Sequence, residues 1–182
     1  MTSIYVKDEK MTVASLCAMI NKAEDMTVFK LEDMVLDGSN NDVIELSKAF
    51  RGHQYLEEFT LENVSLTDAS LTLDQVVAII LVTVPDLTLL KLEKSCVTTS
   101  ALAAVGYCTS LKRLIVPNSN LNDKDAVKIA EAVAQSPGIE EVDMSGNGTW
   151  IAWWLIVIGL SSSYVSASNN MLFAPTNINR LL

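Results

Sequence analysis

Histidine is almost missing from this chain. His53 is the only one in 182 residues, and the three cysteines, Cys17, Cys96 and Cys108, form no CxxC pair. Zinc sites need clustered Cys and His, so composition all but excludes one, and no metal site is assigned. An odd number of unpatterned thiols fits reduced, mostly buried cysteines in an intracellular, cytoplasmic protein. Glycine is also scarce: the seven glycines never fall in a GxGxxG or GxxxxGK spacing. No phosphate-cradling loop is present, and no cofactor is expected. Basic residues are outnumbered 13 to 22, for a net charge of −9. Such a chain repels nucleic acid and anionic membrane surfaces. The opening M-T-S-I-Y-V-K-D-E-K carries charge where a signal peptide would have its apolar stretch, so no secretion signal is read. Catalytic groupings are missing as well. His53 reads as a loop residue, Cys17 lies within an apolar helical stretch, and Ser161, Ser162 and Ser163 have no basic partner nearby. No catalytic residue is assigned, and the chain is read as a non-enzyme.

What the chain has is a repeat. Leu111, Leu114, Val116 and Leu121 stand at offsets 0, 3, 5 and 10 of a unit that continues into Ile129-Ala-Glu-Ala-Val133. The same offsets hold Leu87, Leu90, Leu92 and Val97; Leu56, Phe59, Leu61 and Leu66; Met26, Phe29, Leu31 and Leu36; and Met1, Ile4, Val6 and Met11. Ile139, Val142 and Met144 open a sixth unit. Offsets 3 and 5 share one face of a short strand, because strands alternate with period 2. Each of the first five units ends in a mostly apolar helical quintet, the others being 16–20, 46–50, 77–81 and 101–105, and the next unit always starts six residues later. Between offset 10 and the quintet lie cap-forming residues: Asn40 to Asp42, Thr67 with Asp68, Thr98 to Ser100, and Asn122 with Asp123. Pro85 and Pro137 stand where each helix must stop. One strand and one helix of this size cannot bury their apolar faces alone, so each unit implies neighbours like itself.

These offsets resemble the leucine-rich repeats, in particular the longer ribonuclease-inhibitor-like class, over residues 1–149. The resemblance implies an α/β fold: a right-handed β/α solenoid with a parallel sheet lining the concave face and helices outside. It also implies Asn or Cys at offset 8, bonding backbone between turns. Asn147 fits, and Ser95 and Ser119 can substitute, but Glu9, Met34 and Val64 do not. The side-chain ladder is therefore expected to break, and the curvature to loosen, in the first three repeats.

Two domains follow: about six repeats over 1–149 and an apolar segment over 150–182, uncharged as far as Arg180. Met1 already occupies offset 0, so either a partner covers that edge or the chain is a piece of a longer repeat protein. After Asp143 no charge appears until Arg180. Trp150, Trp153, Trp154 and Val157, at helical spacing, are read as an apolar cap or interface over the open end, while the opposite face, with Ile151, Leu155 and Ile158, invites self-association or a partner. A membrane span is the weaker reading. The run from Trp150 to Leu160 is eleven residues, and a span needs about 17–25. A third reading takes the segment as foreign to the fold.

The outward strand positions collect Tyr5, Lys7, Lys30, Glu32, Glu57, Glu58, Thr60, Glu62, Lys91, Glu93, Lys112, Arg113, Glu140, Glu141 and Asp143. Glu32, Glu62 and Glu93 share one column, and Glu57 and Glu58 are expected to face Lys112 and Arg113 two strands away, which in turn neighbour Glu140 and Glu141. The plain reading of these rows is a solvated face with cross-strand ion pairs. The expected function is a protein-interaction module that binds a protein partner through Glu32, Glu57, Glu58, Thr60, Glu62, Lys91, Glu93, Lys112, Arg113, Glu140 and Glu141. The alternative is a structural subunit of a membrane-associated or multi-subunit assembly, held by its apolar end. A GTPase regulator is weaker still, because such a role usually presents an arginine and only Arg51, Arg113 and Arg180 exist.

Overall fold

A computed structural model describes residues 2–95 and 97–147, with the backbone of the strands Tyr164–Ala167 and Met171–Phe173. Cys96 and the expected cap residues Trp150, Trp153, Trp154 and Val157 lie outside the described residues. The elements run β1 Thr2–Lys7, β2 Lys10–Thr12, α1 Val13–Lys22, β3 Met26–Asp37, α2 Asn40–Phe50, β4 Glu58–Leu66, α3 Asp74–Thr83, β5 Leu89–Glu93, α4 Thr99–Leu102, β6 Arg113–Ile115, α5 Asp123–Ala134, β7 Glu141–Asp143, β8 Tyr164–Ala167 and β9 Met171–Phe173.

One sheet holds them in the order β1-β3-β4-β5-β6-β7-β8-β9, with β2 alongside β3. Every pairing is parallel except β8 with β9. The register matches equal offsets: Ile4, Phe29, Phe59, Leu90, Leu114 and Val142 form one row across six strands, and Val6, Leu31, Leu61 and Leu92 form the next. Both rows are buried, as are Leu56, Leu87, Leu111 and Ile139 at offset 0. At the heart of the core Phe29 stacks on Phe59 at 5.3 Å, and Phe50 meets both edge-on at 4.9 and 5.5 Å. β8 continues the parallel order beside β7, although no apolar spacing of the repeat announces it.

The helices form a second layer, each packed on the next from α1 to α5. They bury their quintets, such as Leu16 and Ile20 in α1, Leu46 and Phe50 in α2, and Ile129 and Val133 in α5. Capping chemistry sets their starts. Ser39 and Asp42 form a capping box on α2, Asn122 and Asp125 one on α5, and Thr12 caps α1. The third helix departs from the reading. Asp68 instead closes a turn, accepting from Ser70 N at 2.9 Å, and α3 begins at Asp74 with no side-chain cap. The fourth helix is one turn of α-helix followed by a 3-10 turn, Ala103–Tyr107. Its unit has only three residues between Val97 and the quintet. A 3-10 turn rises about 2.0 Å per residue against 1.5 Å in an α-helix, so the shorter segment still spans the layer.

Each strand core ends in a left-handed residue at offset 7: Asp8, Asp33, Asn63, Lys94, Asn118 and Gly146, with φ between 46° and 69°. Five of the six are Asp, Asn or Gly, the residues that tolerate this conformation best. A Cβ at Gly146 would also meet Asn118 Oδ1 at 2.1 Å. The bend returns offset 8 inward, and Met34 and Val64 are buried there.

Candidate functional site

The sheet face opposite the helices carries the charged rows. Strand pairing sets Lys7, Glu32, Glu62 and Glu93 side by side at offset 6, and Tyr5, Lys30, Thr60 and Lys91 at offset 4. Strand neighbours are about 4.8 Å apart, within reach of a lysine stem. The cations therefore bridge the carboxylates. Lys30 Nζ lies 2.7 Å from Glu32 and 4.0 Å from Glu62, and Lys91 Nζ lies 2.7 Å from Glu62 and 3.2 Å from Glu93. Lys7 and the Tyr5 hydroxyl also donate to Glu32. Asn118 Nδ2 closes the far end on Glu93 at 3.1 Å, and Lys30 sits 5.1 Å above the Tyr5 ring.

Three lysines and three glutamates thus make a ladder of zero net charge across four strands. Glu32 receives three donors, and its carboxyl is pushed down to about 2, by Lys30 first, then Lys7 and Tyr5. Glu32's hydrogen bond in turn raises Lys30. The glutamate column is present, but its charge is already answered from within. Thr60 differs from its expectation: it lies in the row between Lys30 and Lys91, yet is only 7% exposed. Its short side chain sits below the two longer ones.

Arg113 and Glu58 do share a row, with Leu89 between them. Arg113 turns the other way, onto Glu141 at 2.7 Å. Glu141 is the neighbour expected for Arg113, and only the facing of Glu58 is corrected, because an adjacent strand offers a nearer carboxylate than one two strands away. Glu57, Glu58, Lys112 and Glu140 are exposed, and their side chains meet no charged partner among the described residues. Below them, at the strand starts, Asp25, Thr27, Tyr55, Glu57 and Asp86 line a cleft of about 250 Å³. Tyr55 stands 59% exposed in it. Sequence reading missed Asp25, Tyr55 and Asp86, which all occupy the position just before offset 0. That position carries no apolar signal and sits outside the strand alternation.

His53 lies in the link after α2 as expected, but it is buried against Phe50, 6.5 Å between rings. Burial lowers its pKa, opposed by a hydrogen bond to the Ile20 backbone. Cys17 is a half-buried free thiol and Cys108 a buried one. Among the described residues, no group of three or more His, Cys, Asp or Glu side chains could hold a metal ion. No helix among them is long and apolar enough to cross a membrane. Compared with known proteins, the chain matches no family model and no curated protein.

Proposed function

We propose that the chain is a leucine-rich-repeat solenoid of the ribonuclease-inhibitor-like class. It acts as a non-enzymatic protein-interaction module and binds a partner protein through the concave face of its sheet. The observation that carries this reading is the division of that face into two parts. The middle rows answer their own charges, while the strand starts leave Glu57 and Glu58 unanswered beside a cleft holding Tyr55, Asp25 and Asp86. An excess of carboxylates around an exposed aromatic ring suits an arginine or lysine side chain, by charge and by cation–π attraction. The partner is therefore read as a protein segment with basic residues, and the remaining rows as a rigid platform.

The test is titration of an arginine-containing peptide onto the full chain at two salt concentrations. Double substitution Glu57→Gln with Glu58→Gln should weaken binding about tenfold and flatten its salt dependence. Glu45→Gln, on the helical side and paired with Lys48 at 2.7 Å, should leave binding unchanged. Equal losses from both changes would mean that only net charge is sensed, and the reading fails.

A further inference from the structure

We infer that Asn147 is a deamidation site that the fold keeps closed, so that opening of the last described repeat becomes irreversible. Asn147-Gly148 is the one Asn-Gly pair in the chain. In a free chain the backbone nitrogen of Gly148 attacks Asn147 Cγ. The new C–N bond forms as the bond from Cγ to Nδ2 breaks, and ammonia leaves. Water then opens the five-membered imide to aspartate or isoaspartate. The net change is amide plus water to carboxylate plus ammonium, with no oxidant or reductant. Glycine hinders the attacking nitrogen least, because it has no side chain.

In the fold the amide is engaged at both ends. Nδ2 donates to Val116 O and Met144 O, both at 2.8 Å. Oδ1 accepts from Ser119 N at 2.8 Å and Leu121 N at 3.1 Å. Both amide hydrogens are used, and the oxygen takes two donors. Closing the imide ring swings Cγ onto the following nitrogen and expels Nδ2, so both bonds from Nδ2 are lost and Oδ1 is drawn away from its two donors. Deamidation must therefore wait for local opening of the repeat. The product cannot restore the contact. Aspartate is ionised at neutral pH and only accepts, so the carbonyls of Val116 and Met144 lose their donor and face a negative charge. Isoaspartate also lengthens the backbone by one carbon.

The experiment ages the full chain at mildly alkaline pH, in native buffer and in urea, and follows conversion of the Asn147 peptide by mass spectrometry. Conversion in urea should be more than about tenfold faster than in native buffer. Equal rates, or no conversion in urea, would overturn the proposal. Two variants read the consequence. Asn147→Ser places at this offset the residue that Ser119 and Ser95 supply one and two repeats earlier, and it should hold its melting profile through ageing. Asn147→Asp should melt below Asn147→Ser from the start, and a melt equal to that of the unmodified chain would also overturn it.

Discussion

Repeats in the first half of the sheet and repeats in the second are joined in different ways. Between β3 and β4 the backbone ladder runs past the bend, pairing Met34 with Val64 and Leu36 with Leu66. β2 adds the same continuation on the other side of β3. From β5 onward the paired strands are short, and one side chain per repeat replaces the missing backbone bonds. Ser95 donates to Leu61 O at 3.1 Å, Ser119 to Leu92 O at 2.9 Å, and Asn147 to Val116 O at 2.8 Å. In all three the donor is offset 8 and the acceptor is offset 5 of the preceding unit. From the second unit to the sixth, an apolar residue at offset 8 thus goes with a longer strand, and a polar one with a side-chain bridge. The lesson is that a buried backbone carbonyl needs a donor, and either the next strand or one side chain can provide it.

Substitutions can break this contrast or sharpen it. The largest effect is expected in the first half, where Phe59 packs against both Phe29 and Phe50. Phe59→Ala should cost about 3–5 kcal/mol in chemical unfolding, because a large side chain leaves a cavity in a close-packed core. Leu92→Ala, in the second half, should cost about 2–5 kcal/mol. Leu92 borders a gap of about 10 Å³ shared with Ser95, Val97 and Val116, which the substitution enlarges. If Leu92→Ala is silent in thermal melts, the repeat frame is wrong.

The bridges themselves come next. Asn147→Ala should cost about 1–3 kcal/mol, since it strips donors from two carbonyls and an acceptor from two N–H groups. Ser95→Ala, which removes a single hydroxyl, should cost about 1 kcal/mol. In amide hydrogen exchange both changes should speed exchange in the second half while leaving β3 and β4 protected. Uniform acceleration across the sheet would mean that the halves are not held separately.

The smallest effect is electrostatic. The folded chain holds Glu32 at about 2, below its ordinary 4.5. The carboxylate form is the one the fold favours, so its contribution is complete above that ordinary value and is lost as pH falls toward about 2. Glu32→Gln should flatten the acid limb of the stability profile in that interval and change little at neutral pH. An acid limb identical to that of the unmodified chain would show that the ladder contributes nothing.

Much of this architecture was legible beforehand, for reasons that particular residues make plain. Apolar residues at offsets 0, 3, 5 and 10 report burial directly, and Leu61, Leu92, Phe59 and Leu90 occupy the rows that their offsets imply. The charged rows were legible too, because strand alternation fixes which residues face away. Their partners were legible only in part. Glu141 was the expected neighbour of Arg113, but Glu58 was left without it, and Thr60 was covered by the length of its neighbours. The bend was legible but unread: Asp8, Asp33, Asn63, Asn118 and Gly146 repeat a left-handed preference at one offset. A search tuned to apolar spacing passes over polar residues that mark a turn.

The amino-acid order by itself determined the strand faces and the quintet that each helix buries, because these depend on burial of side chains at regular intervals, and the parallel α/β arrangement followed from the resemblance those intervals carry. Only the tertiary structure decided which charges pair, which repeats are joined by backbone and which by a side chain, and that Asp25, Tyr55, Glu57 and Asp86 share a cleft. Those outcomes depend on distances between residues some thirty positions apart, and those distances exist only once the strands lie side by side.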